Sequence, residues 1–206
     1  MIRSLFLTSI ICGVAFAAPP FPGSLVQDVP EGISDGFPIV SSQGSPQALD
    51  ADSTIRVCVL KVEFLPDYTD STSGNGEFES NSAEVADVMS QVESYYNDVS
   101  NGHLQLVLSQ YPSGDEAFMV NHQMGFYGAP EKSGLGQCEL FRDAILAADG
   151  EVDFSGHDAV IVMHAGAGAE SDILSNSPQD IHSMFLDSRY LEYYLGVGYI
   201  QTNDGV

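Results

Sequence analysis

Five histidines, His103, His122, His157, His164 and His182, are the residues of this chain best suited to hold a metal or move a proton near neutral pH. Two zinc ligands on adjacent helical turns with a general base between them require His-Glu-x-x-His, and none of the five begins that pattern. His157 and His164 stand seven residues apart on one extended segment, so they point to opposite faces and cannot chelate one ion. His164 differs from the others because it ends the apolar run DAVIVMH. It is therefore expected at the carboxyl edge of a sheet, where open α/β folds place their sites. Two readings of it stand side by side. One is a strand-end histidine bonded to nearby backbone; the other is a member of a polar cluster with Glu170, Asp172, Asp180 and His182 beside a cleft.

An apolar strand followed by His-Ala-Gly also bears a loose likeness to caspase-like cysteine peptidases, but no cysteine follows His164 to serve as nucleophile. Gly166-Ala-Gly168 follows a strand without the third glycine of a dinucleotide fingerprint, and no Gly-x-Ser-x-Gly elbow or phosphate loop is present. Asp149, Glu151 and Asp153 alternate like the start of a calcium loop that lacks its sixth-position glycine and twelfth-position glutamate. An irregular calcium site and a solvated turn both remain open for these three.

The elements that must position these residues are legible from apolar spacing. IRVCVLKVEF, from Ile55, is a near-continuous apolar run, as expected of a central strand buried on both faces. Val85, Val88, Met89, Val92, Tyr95, Tyr96 and Val99 recur at helical spacing; Asn81 with Glu84 predicts a capping box, and Gly102 a left-handed stop. HLQLVLSQY, His103 to Tyr111, follows as a second strand, so strand, helix and strand form a βαβ unit with parallel strands. After a loop containing Tyr127, Gly128 and Pro130, a second helix is expected over about Gly136 to Ala148, then a third strand over Asp158 to Gly166. An aromatic, strand-like stretch runs from Tyr193 to Thr202. The expected class is α/β, with a mostly parallel mixed sheet and flanking helices.

Cys58 shares a strand face with Leu60, Val62 and Phe64, and Cys138 lies on the apolar side of the second helix. If that helix covers the Cys58 face, the α-carbons approach the roughly 5.5 Å of a disulfide; otherwise both are buried thiols.

The chain opens with Arg3, an apolar run from Leu5 to Phe16 and the small residues Ala15 and Ala17. This is the pattern of a cleavable signal peptide, residues 1–17, too short to span a bilayer. Export to an extracellular, oxidising setting is expected, with no membrane anchor. Residues 18–52, rich in Pro, Gly, Ser and Asp, are expected to be a flexible leader or propeptide, and residues 53–206 the folded domain. With 6 basic and 29 acidic residues the formal charge is −23; losing Arg3 with the signal gives 5 − 29 = −24. Such a surface repels nucleic acid and anionic membranes, and suits a saline medium or calcium binding.

VCVLKVEF, the helix ending VESYYNDVSNGHLQL, the Tyr127-Gly128 turn and above all GEVDFSGHDAVIVMHAGAGAES followed by DIHSMF resemble the immune inhibitor A family of secreted bacterial zinc metallopeptidases. The likeness runs from about Ile55 to the chain end, and HAGAGAES is its most specific part. A tryptophan is usual in that family where His182 stands here. The resemblance implies a zincin-like domain, a protein or peptide substrate and a catalytic zinc held by a His-Glu-x-x-His helix that none of these residues matches. It also implies that the polypeptide continues past Val206 with that helix, that this chain alone is inactive, and that Gly196 to Thr202 forms a substrate-binding edge strand. The other class considered is a non-catalytic extracellular binding module on a zincin-like sheet.

Overall fold

The computed structural model describes residues 6–8, 53–132 and 134–205. The expected leader, 18–52, and the expected signal segment apart from Phe6–Thr8 lie outside the described residues.

The sheet is open and mostly parallel, as expected. Its strands are β1 (Phe6–Thr8), β2 (Ser53–Glu63), β3 (Leu104–Tyr111), β4 (Phe118–Met119), β5 (Ala159–His164) and β6 (Phe185–Leu186). Their order is β3-β2-β5-β1-β6, with β4 pairing the end of β2. β2 runs parallel to β3 on one side, with Ser53 opposite Leu104, and to β5 on the other, with Val57 opposite Ala159. Central placement explains why positions 57 to 62 of β2 are all buried. Alternation sends Val57 and Val59 to one face, where they pack with Ile161, Met163, Val85 and Met89; Cys58, Leu60 and Val62 face a larger core on the other side.

Helix α1 (Ser82–Val99) connects β2 to β3 and covers the first face. Its capping box is present: Asn81 Oδ1 accepts from the Ala83 and Glu84 amides, and Glu84 accepts from the Asn81 amide at 3.0 Å. The helix stops at Ser100, and the chain reverses through Asn101 and Gly102, both at positive φ. Only Val85 and Met89 of its apolar stripe are buried, whereas Tyr95 is 62% exposed. Helices α2 (Met124–Gly128), α3 (Gly134–Ala148) and α4 (Ser188–Leu195) contribute to the opposite core.

Two expectations are corrected and one open alternative is decided. The Tyr193 to Thr202 stretch is not a strand: Tyr193 to Leu195 belong to α4, which Asp187 caps through the Arg189 and Tyr190 amides and Gly196 ends at φ 71. The apolar residues Tyr190, Leu191, Tyr194 and Leu195 recur at a helix period, which outweighs the β preference of their aromatic side chains. Gly196 to Thr202 therefore supplies no edge strand; its contact of this type is a single bridge between Thr202 and Gly205. The Tyr127 loop contains a short helix, α2. Finally, Cys58 and Cys138 share the larger core but are free thiols, so the bridged alternative is not formed. Apolar packing pushes both thiols up to about 12, leaving little thiolate for disulfide chemistry.

Candidate functional site

The chain leaves β2 toward β3 on one side and returns through α3 to β5 on the other, placing a topological switch at the carboxyl ends of these strands. Two loops meet there, residues 64–81 after β2 and residues 165–184 after β5. They are stitched together by several hydrogen bonds. Ser73 N donates to Asp180 Oδ1 at 2.7 Å, Ala167 N to Ser73 Oγ at 2.7 Å, and Gln179 N to Ser71 O at 2.9 Å. Gly166 sits in this seam at φ 79, where an added Cβ would lie 2.8 Å from Ser73 O. Glycine is required there for both conformation and space.

His164 closes β5, opposite Val62, with the Ala165 amide donating to Val62 O at 2.8 Å. It is 2% exposed, and its ring lies 5.8 Å from that of Phe64. Its Nδ1 lies 2.7 Å from Ala165 O. A carbonyl oxygen only accepts, so Nδ1 carries the proton and Nε2 presents a lone pair. That Nε2 is buried and has no hydrogen-bond partner among the described residues. Burial lowers the ring's pKa, partly offset by the Ala165 bond and the Glu170 charge. His164 is thus a neutral imidazole with an open acceptor.

Glu170 and His182 stand together. Glu170 Oε1 accepts from Ser183 N at 2.6 Å and lies 3.8 Å from His182 Nδ1, an ion-pair distance. Burial acts to raise the Glu170 carboxyl, but the His182 ring and backbone amides outweigh it and hold the group below the usual range. The same pairing raises His182, whose side chain is 60% exposed.

The remaining candidates are engaged elsewhere. Asp180, 3% exposed, faces Ser73, and burial raises its carboxyl. Asp172 folds onto its own turn, accepting from Asn176 N and Ser177 N. The expected five-residue cluster is therefore divided: Glu170 pairs with His182 and its charge reaches His164, Asp180 binds the Ser73 amide, and Asp172 is taken up by its own turn. Among the described residues no three His, Cys, Asp or Glu side chains are placed to hold a metal. Two of the three acids considered for calcium act as backbone acceptors, Asp149 from Asn203 N and Asp153 from Ser155 N. His157 contacts the edge of Tyr111, and His122 stacks on Phe126 at 3.8 Å.

Two contributors escape sequence reasoning. Ser73 lies in a Gly-rich loop whose composition shows no partner, and only the tertiary seam reveals it. Lys61 lies within the apolar run of β2 and is fully buried, with Nζ donating to Gly114 O. Desolvation lowers its pKa, opposed by Asp115 and Glu116. A lysine inside an unbroken apolar run was the available signal.

These features define an open, mostly parallel α/β domain whose polar residues gather at the carboxyl edge of the sheet. Comparison with protein-family models, curated proteins and solved structures gave no match. No helix among the described residues is long and apolar enough to cross a membrane.

Proposed function

We propose that these residues are the sheet-bearing, amino-terminal portion of a secreted zinc metallopeptidase with a zincin-like domain, acting on extracellular proteins or peptides. The observation that carries this reading is the segment GEVDFSGHDAVIVMHAGAGAES, whose HAGAGAES end is the most specific part of the resemblance to the immune inhibitor A family. It traces one continuous path from the turn before β5, through β5, to His164 and Glu170 at the carboxyl edge. The described residues themselves do not fit a zinc site, since no three ligating side chains converge. No catalytic step is therefore assigned to them, and zinc would be held by a His-Glu-x-x-His motif that none of these residues matches.

The second reading is a non-catalytic extracellular binding module, favoured by the engagement of Glu170, Asp172 and Asp180 with backbone amides. The test is the longer coding sequence and its product. His-Glu-x-x-His within roughly the next fifty residues, with chelator-sensitive casein hydrolysis lost on Glu→Gln in that motif, supports the peptidase. A longer product without the motif and without hydrolysis overturns it in favour of the binding module.

A further inference from the structure

The sheet contains a gap that the chain fills with its own amino-terminal residues. β5 and β6 are not hydrogen-bonded to each other; β1 lies between them, parallel to β5 and antiparallel to β6. Leu7 is in register with Val160 on one side and Leu186 on the other; Phe6 is beside Ala159, and Thr8 beside Phe185. Val160 is 1% exposed and Leu186 2% exposed. Beyond Leu186 the chain enters α4, whose Tyr190 and Leu191 are anchored in the larger core. β6 is thus held near the sheet by packing on one side, while its strand partner among the described residues is β1.

Phe6–Thr8 falls within the segment read as a signal peptide, so an exported chain beginning at Ala18 would lack it. Its removal leaves two facing backbone edges separated by two inter-strand spacings, about 9.5 Å, the width of one strand. Unpaired amides and carbonyls in such a position are costly unless a partner satisfies them.

We propose that, in the exported chain, the gap between β5 and β6 is an acceptor slot for an extended peptide from another polypeptide. The peptide runs parallel to β5 and antiparallel to β6, and backbone hydrogen bonds supply most of the affinity. Its central residue is apolar, because the register places that residue between Val160 and Leu186. Filling the slot also restores a strand partner to β6, so binding and ordering of the segment leading into α4 are coupled.

The inference rests on the export reading, but it is tested on purified protein independently of export. Hydrogen exchange is compared between the 1–206 chain and a chain beginning at Ala18, with and without an end-blocked synthetic peptide of residues 4–10. The expected result is at least tenfold faster exchange over Ala159–His164 and Phe185–Leu186 in the shorter chain, with β2 and α1 unchanged. Added peptide should restore protection saturably, and the same peptide carrying Leu7→Pro should not. Equal protection in both chains, no response to the peptide, or loss of protection throughout the shorter chain would each overturn the slot. An uncut secreted amino terminus with peptide binding intact refutes cleavage after Ala17 alone; a cut terminus without peptide binding refutes the slot alone.

Discussion

His164 donates its Nδ1–H to the carbonyl of its own neighbour, Ala165, and so keeps an acceptor nitrogen inside the protein. The cost of charging that ring gives the first prediction. The unfolded chain takes up a proton at this side chain near the ordinary value of 6.5, whereas the folded chain does so only at lower pH. Folding is therefore penalised progressively as pH falls below about 6.5. Glu170 acts in the same direction lower down, because its depressed carboxyl contributes stability above about 4.5 that is lost on acidification. His182 acts oppositely, contributing below about 6.5 and losing that contribution as pH rises, though solvent screens so exposed a pair. The midpoint of thermal unfolding is expected to fall between pH 7.5 and pH 5.5, and to fall less in His164→Gln; equal slopes would remove His164 from the account. Cys58 and Cys138 make a second prediction at this scale. Their peptides should resist iodoacetamide in the native protein and alkylate completely in denaturant, since burial holds both thiols protonated. A disulfide-linked pair in non-reduced digests would contradict the structure.

Helix α1 shows how local sequence and packing divide the work of an element. Its start is written in the chain, because Asn81 and Glu84 satisfy each other's backbone amides without help from elsewhere. Asn81→Ala should cost about 1 kcal/mol, read as a lower urea midpoint at unchanged slope, and a change within a few tenths would show that tertiary packing alone sets this boundary. The far end is different. Val99 and Tyr95 fit the helical stripe as well as Val85 does, yet both are exposed, so the stripe alone does not set which of its residues the fold covers. Helix α4 makes the converse point. An aromatic run looks like a strand until Asp187 and Gly196 are recognised as its two caps, both of which were legible.

Across the whole molecule the dominant physical fact is charge, 29 acidic residues against 6 basic ones. Repulsion among them opposes the compact state, and added salt screens it over a Debye length that shrinks from about 14 Å at 0.05 M to about 4 Å at 0.5 M. The thermal midpoint should therefore rise with sodium chloride over this interval. A flat or falling curve would mean that local attractive pairs, such as Lys132 with Glu139 at 2.6 Å, outweigh the net field.

The run of buried residues in β2, the βαβ unit, the position of α3 and the placement of His164 at a strand end all followed from sequence, because periodicity and capping are properties of neighbouring residues. The grouping of side chains did not. Asp180 turned to Ser73, more than a hundred positions away, Glu170 to His182, and Lys61 into an apolar layer beneath Gly114. Those pairings depend on which loops the sheet order brings together, and no local pattern encodes an interaction between segments whose meeting is decided by the rest of the fold.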